Sequence, residues 1–456
     1  MKNSILHILC IAFLLIAVVA GTITFLPKTT KRPDLHQFDN TDSYSHPEHF
    51  QQPHAQSEPE IESEIEPEPG NSYEPAVPSK PEEISSEGAA PEPELQARQI
   101  TDGLTAVISD GTDVSPLLDG NYSTRLIFKT EAVVTISSIE DIFSIYIIWG
   151  LPPAEWTLCG TQVQTGGENG FIHEYVSLLA PGGELELHLP STGAVLSEIY
   201  VFTEGLPPSW VQVWLPPHNR AELLVLPTHA DDEHLFFAGV LPYYSGERNY
   251  RVQVAYMTNH WNEPPRTHEL LDGLWTVGIR NYPIISHFND RYASSLSHAQ
   301  SIYGFDNFVN YQIELLRRFK PLVVVGHDLN GEYGHGVHML NAHALVAAVD
   351  RAAGKDWDSE SYEQFGIWNT PKLYLHLYPE NAIMMDWSIP LERFGGATAY
   401  EMAVDGYDAH KSQHRWAFAV PRHGRASGHK FGLVRTLVGW DYFGGDLFEN
   451  LLGELG

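Results

Sequence analysis

Cysteine is almost missing from this 456-residue chain: Cys10 and Cys159 are the only two. No disulfide framework can be built from that pair. Such poverty is compatible with an exported bacterial-type protein. Basic residues are also scarce, 27 Lys and Arg against 58 Asp and Glu, for a net charge of −31. Phosphate neutralisation needs clustered cations, so nucleic acid is excluded as a partner. The imbalance is concentrated. Between Pro33 and Arg98 sixteen acidic residues face two basic ones, Lys80 and Arg98, so −14 of the −31 lies there.

Composition divides the chain into four parts. Residues 1–32 hold a long apolar run, 4–26, with Lys2 before it and Lys28, Lys31 and Arg32 after it. The run is long enough to span a bilayer as a helix. It reads as an uncleaved membrane anchor or as a signal peptide cut after Val18-Val19-Ala20. The expectation is a single-pass protein of the cell membrane with an extracellular catalytic part, or a secreted one if the segment is cleaved. Residues 33–99 are rich in Glu, Pro and Ser and cannot build a core. Proline and like charge make them a semi-rigid spacer.

Residues 100–205 carry short β-branched or alternating runs at 131–136, 143–149, 184–189 and 198–202, separated by Gly-Pro turns. That spacing predicts an all-β sandwich. Residues 206–456 alternate strand candidates (222–226, 252–256, 322–325, 372–377) with helical patterns (267–277, 308–319, 338–348). Strands alternating with helices predict an α/β domain with a mostly parallel sheet.

Two of those strand ends carry the chemistry. The run at 223–227 leads into His229-Ala230-Asp231-Asp232-Glu233. The run at 322–325 leads into a stretch containing His327, Asp328, Glu332, Tyr333, His335 and His338. In a parallel sheet both turns open on one edge, where ligands bind. Imidazoles and carboxylates converging there predict a divalent metal site, zinc or another transition metal. His229 and Asp232 are three apart, as are His335 and His338, so each pair shares a face. A workable set uses His229, Asp232 and His338 as ligands and leaves a position open for water, whose pKa zinc lowers. Asp231 is then placed to act as general base, and His335 to steady an oxyanion or protonate a leaving amine. The plain alternative is a negative cluster complementing a helix N-terminus, in a chain with 23 histidines.

The His-x-Asp-Asp-Glu turn, followed late by Gly-Glu-Tyr-Gly-His-x-x-His, resembles the PIG-L/LmbE-like family of zinc-dependent N-deacetylases. Met257-Thr258-Asn259 at the end of the second strand, Arg266 with Glu269 and Leu270, Gly278, and the late Ser412-Gln413 extend the resemblance over residues 220–420. It implies a Rossmann-like fold and removal of acetyl from an N-acetylated sugar, polysaccharide or sugar conjugate. It also implies His229, Asp232 and His338 as zinc ligands, Asp231 as base, His335 as the acid or electrophilic histidine, and Arg266 as a substrate contact. Two positions depart from the pattern. Ala230 stands where the family has Pro. Val337 stands where it has an Asp that partners a histidine, and loss of such a partner commonly costs about 10–100-fold in activity or metal affinity. Asp328 and Glu332 are the carboxylates near enough in sequence to replace it. The turn at Asp119-Gly120-Asn121 and the strands after it resemble a discoidin or galactose-binding-like jelly roll, a module that binds sugars or stands as an accessory domain.

A second reading stays open: a non-catalytic carbohydrate-binding protein with a degenerate deacetylase-like head. Other residues divide between site and scaffold. Arg266 either contacts substrate or pairs with Glu263 or Glu269. Tyr333 lines the pocket or packs in the core. His260, Trp261 and Trp416 are candidates for stacking on sugar, set against ordinary packing. His410 and His414, four apart, read as surface or pocket-wall residues rather than a second metal pair.

Overall fold

A computed structural model of the chain describes residues 95–424 and 426–451. The apolar run at 4–26 and nearly all of the acidic spacer lie outside the described residues. Among the described residues no helix is long and apolar enough to cross a membrane. The longest has 17 residues, Gly336–Ala352, short of the roughly 20 apolar residues a bilayer requires. The expectations of a transmembrane helix, of a membrane partner and of a single-pass cell-membrane location are therefore corrected: no described element supports them.

Seven strands come first: β1 Thr105–Ile108, β2 Leu126–Phe128, β3 Val133–Trp149, β4 Trp156–Cys159, β5 Val163–Gly166, β6 His173–His188 and β7 Ala194–Phe202. They form one antiparallel sheet in the order β2-β7-β3-β6-β4-β5, with β1 also on β3. The runs at 131–136 and 143–149, expected as separate strands of a sandwich, belong to one long strand. The register of β3 on β6 shifts between Ser137 and Ile142 and again between Ile142 and Ser144. Such irregularities bend a strand without ending it, so the sheet curls. Pairing starts early: the Ala97 N–H donates to the Leu206 carbonyl at 2.9 Å.

The second sheet holds β8 Leu223–Val225, β9 Val252–Tyr256, β10 Ile284–Ile285, β11 Val323–Gly326, β12 Lys372–His376, β13 Ala382–Met384 and β14 Lys430–Thr436. Its order is β10-β9-β8-β11-β12-β14-β13. The first five run parallel, and β14 pairs antiparallel with both β12 and β13, so the sheet is mixed. Every residue of β8, β9, β11 and β12 is buried. This is why their sequences read as near-continuous apolar runs, as strands covered on both faces do.

The helices are α1 Asp232–Leu235, α2 Pro264–Thr276, α3 Leu296–Tyr303, α4 Phe305–Phe319, α5 Gly336–Ala352, α6 Ser359–Phe365 and α7 Ala399–Asp408. The core joins Leu224, Leu226, Val324 and Leu373 of the sheet region to Phe308, Ile313 and Leu316 of α4 and Leu340, Leu345 and Val349 of α5. The two sheets are tied through Tyr282. Its ring stacks on Phe171 at 4.4 Å, and its hydroxyl accepts the Ile172 N–H at 3.1 Å.

Candidate metal centre

The two chemistry-bearing turns meet at one sheet edge. β8 and β11 are parallel neighbours with Val225 opposite Val325, so residues 228–232 and 327–338 leave the sheet side by side. Thr228 is clamped from three directions. Its N–H donates to His327 Nε2 at 3.0 Å, its carbonyl accepts the Thr258 hydroxyl at 2.8 Å, and its hydroxyl accepts the Asn341 amide at 2.9 Å. Asn341 also donates to the Leu226 carbonyl at 3.0 Å. It lies three residues beyond His338 on α5, on the same face, so docking Asn341 carries His338 to the end of β8.

His229, Asp232 and His338 are all buried. His229 Nδ1 lies 3.2 Å from Asp232 Oδ2 and 3.0 Å from His338 Nε2, and the latter lies 3.3 Å from Asp232 Oδ2. Tetrahedral zinc with bonds of about 2.0–2.1 Å needs ligand atoms about 3.3 Å apart. The His229 N–H also donates to Asp232 Oδ2 at 2.7 Å, fixing that carboxylate. Lone pairs this close need a proton or a cation between them. Burial alone would lower the His229 pKa, but the Asp290 and Asp232 carboxylates pull it up to about 9. Burial would raise Asp232, but His338, His229 and His327 hold it well below the usual carboxylate range. The donor set and its field fit a divalent cation, and His335, grouped with His229 and His338, supplies one more donor at the same place.

Behind each imidazole stands a carboxylate. Glu332 Oε2 is 2.9 Å from His338 Nδ1 and 2.7 Å from His327 Nδ1, while Glu332 Oε1 is 2.7 Å from His376 Nδ1. Against the cost of burial, His327 and the other two rings hold Glu332 well below the carboxylate range. This answers the question raised by Val337. Val337 is fully buried in the apolar core, where an aspartate would be a charge without solvent, and Glu332 takes up the histidine partnership from the preceding turn. Asp328 does not: its Oδ1 accepts the Asn330 N–H at 3.0 Å.

Asp290 has no counterpart in the sequence reading. Its Oδ1 lies 3.4 Å from His229 Nε2, and its Oδ2 lies 3.6 Å from His260 Nδ1 and 3.7 Å from Arg266 Nη1. The available signal was its place just beyond β10, a third parallel strand ending on the same edge. His327 was visible in the second turn but had no assigned role.

Asp231 sits beside the three donors in a backbone conformation with φ 122°, rare for any residue with a Cβ. Its N–H donates to Glu233 Oε2 at 3.0 Å. Burial pushes its pKa up to about 8, opposed by Arg266, whose Nη2 is 3.7 Å from Asp231 Oδ2. Arg266 is buried and donates from Nη2 to the Ala230 carbonyl at 2.8 Å. It thus grips the turn and the aspartate together. Glu269, its other expected partner, instead accepts the Ser412 N–H at 2.8 Å and the Ser412 hydroxyl at 2.6 Å. His335 stands with its ring 4.8 Å from those of both His229 and His338. Burial and those two neighbours hold it well below its ordinary pKa.

The aromatic candidates separate. Tyr333 is 58% exposed, with its ring 5.4 Å from both His338 and Phe418, so it stands at the rim of the site. Trp416 is exposed, whereas Trp261 and His260 are buried. His260 is scaffold: its Nε2 accepts the Ala230 N–H at 3.2 Å. His410, expected at the surface or pocket wall, is fully buried, and its companion His414 is half exposed.

Gly336 lets α5 start where it does. A Cβ there would lie 2.3 Å from the Ser295 carbonyl oxygen and 2.7 Å from its nitrogen. Gly336→Ala is expected to cost about 1–3 kcal/mol, the usual range for overpacking, and to displace His335 and His338. Gly354→Ala, which would meet only the Arg351 carbonyl oxygen at 3.7 Å, should stay within about 0.5 kcal/mol of wild type. Urea unfolding of both variants checks this.

No protein-family profile matches the chain. A stretch of 109 residues is 31% identical to the 1D-myo-inositol 2-acetamido-2-deoxy-alpha-D-glucopyranoside deacetylase 2 of Saccharopolyspora erythraea, covering 23% of this chain and 39% of that protein. Another match, of 70 residues, is 38% identical to the 1D-myo-inositol 2-acetamido-2-deoxy-alpha-D-glucopyranoside deacetylase of Rhodococcus erythropolis, covering 15% of this chain and 22% of that protein. The chain therefore spans less than half the length of these relatives. Among solved structures, the N,N'-diacetylchitobiose deacetylase of Pyrococcus horikoshii aligns over 48% of this chain and 85% of its own at 14% identity, with a TM-score of 0.33.

Proposed function

We propose that this protein is a metal-dependent N-deacetylase of the PIG-L/LmbE-like kind, acting on an N-acetylhexosamine-containing glycan or conjugate. Residues 206–456 would form its Rossmann-like catalytic domain, and residues 100–205 an accessory jelly-roll-like module. The observation that carries the reading is the convergence of two imidazoles and a carboxylate at 3.0–3.3 Å, with a separate buried carboxylate, Asp231, beside them. The matched deacetylases, which are named for an acetamido sugar, supply the direction.

His229, Asp232 and His338 would hold the cation, zinc by donor type. When bound, it would supply Lewis acidity, polarising an acetamide carbonyl and acidifying water. Asp231 takes the proton of the attacking water; a carboxylate made more basic by burial suits that task near neutral pH. Arg266 keeps Asp231 and the Ala230 carbonyl in place. His335, neutral at rest, can pass a proton to the departing amine only after receiving one, and Asp231 is the nearby group that gains one during attack. Tyr333, exposed beside His338, offers a ring for sugar at the rim.

Acetate release from N-acetylglucosamine conjugates should require added zinc and stop with chelator; release that persists in chelator would reject the reading. Metal must displace the proton that holds His229 at a pKa of about 9. Apparent affinity should therefore climb by about tenfold per pH unit and level off near that value. A zinc titration from pH 6 to 9 reads this slope.

A further inference from the structure

A second cluster lies behind the first and takes no part in the chemistry above. Glu233 Oε1 is 3.4 Å from His234 Nε2 and 3.6 Å from His410 Nε2. All three side chains are essentially without solvent exposure. The facing atoms Glu233 Oε1, His234 Nε2 and His410 Nε2 have no hydrogen-bond partner within the cluster; the Tyr256 hydroxyl stands beside the same carboxylate. Buried polar groups are almost always satisfied, and an orphan calls for an explanation such as an ion. Three orphaned atoms, one from each residue, in a group whose ligand atoms all lie within 4.8 Å of one another, share one cause more readily than three.

Space is kept open at this point. Gly273, inside α2, faces the two rings. A Cβ there would sit 2.6 Å from His234 Nε2 and 3.0 Å from His410 Nε2. Gly406, inside α7, faces the same imidazole: a Cβ would sit 2.6 Å from His234 Nδ1. Gly273 thus stands where any larger residue would crowd the two donor nitrogens, and Gly406 where it would displace the His234 ring.

We propose that Glu233, His234 and His410 form a second, fully buried site for a divalent transition metal, with zinc favoured by the two imidazoles and one carboxylate. Glu233 Oε1 lies 3.4 and 3.6 Å from the two imidazole nitrogens, spacings that bonds of about 2.0–2.1 Å to one zinc can bridge, and all three ligand atoms lie within 4.8 Å of one another. The site ties α1 to the turn after α7, and it reaches the first centre through Glu233. One oxygen of that carboxylate faces the cluster, and the other accepts the N–H of Asp231, the residue held at φ 122°. Glu233 is thereby a positioning residue for Asp231, and the ion is what holds Glu233.

The test is metal stoichiometry of the full chain after loading with zinc and removal of excess, read by elemental analysis. Wild type should retain two equivalents, His410→Gln one and His338→Gln one. Should His410→Gln fail to fold, Gly273→Ala, which fills the cradle while keeping all three ligands, should lose the same equivalent. The two sites fail separately. If zinc is retained by His338→Gln and lost by His410→Gln, the second site stands even where the first is refuted. A single wild-type equivalent that disappears in His338→Gln and survives in His410→Gln and Gly273→Ala overturns the proposal.

Discussion

Asp231→Asn is expected to lower acetate release by about 10²–10⁴-fold, the usual contribution of a general base, while metal content stays at the wild-type level. The two halves of that result have separate physical causes. Asp231 is not one of the three converging donors; its Oδ2 lies 3.7 Å from Arg266 Nη2. Removing its charge therefore takes no ligand away. Folding should survive as well. Asparagine has the same shape, tolerates positive φ better than most residues, and keeps the N–H that donates to Glu233. Kinetics with an N-acetylglucosamine conjugate, together with elemental analysis of the same sample, gives both numbers. Turnover within tenfold of wild type would remove Asp231 from the role of base.

The second large effect belongs to a residue that need touch neither metal nor substrate. Glu332→Gln should weaken zinc binding by about 10–100-fold, as loss of a carboxylate behind a metal-binding histidine usually does. It should also lower unfolding stability by about 3–5 kcal/mol, because removing one partner strands the buried charges of the others. Three imidazoles, His327, His338 and His376, point a ring nitrogen at this one carboxylate within 2.7–2.9 Å. A glutamine amide cannot accept from all three. Zinc titration and urea unfolding of the metal-free protein separate the two losses. Asp328→Asn, whose carboxylate serves only its own turn at Asn330, should change zinc affinity by well under tenfold. If Asp328→Asn proved as damaging as Glu332→Gln, the assignment of Glu332 as the replacement for the carboxylate missing at 337 would fall.

How much of this was readable in advance depends on the range of the interaction concerned. The strands at 223–225 and 323–325 could be read from composition because burial on both faces favours continuous apolar runs. The meeting of His229 with His338 followed from two strand ends sharing one edge. The runs at 131–136 and 143–149 belong to one strand, β3, because a shift of register lets pairing continue through the residues between them. His410, four residues before His414, reads from sequence as a surface or pocket-wall residue, yet it is fully buried. The partner that buries it, Glu233, is 177 positions away, beyond any local pattern.

Sequence alone determined which chemistry the chain could carry: imidazoles and carboxylates at the ends of apolar strands, in a chain of net charge −31. Tertiary structure decided which of those groups support one another. Asp290 behind His229, Glu332 behind His338 and Arg266 on the Ala230 carbonyl are pairings across 36 to 61 residues or across a tight turn, set by packing rather than by spacing. A ligand must be one of a few residue types and so leaves a mark in the sequence. The carboxylate that orients it can come from any segment the fold brings within about 3 Å, so its position is settled only when the chain closes on itself.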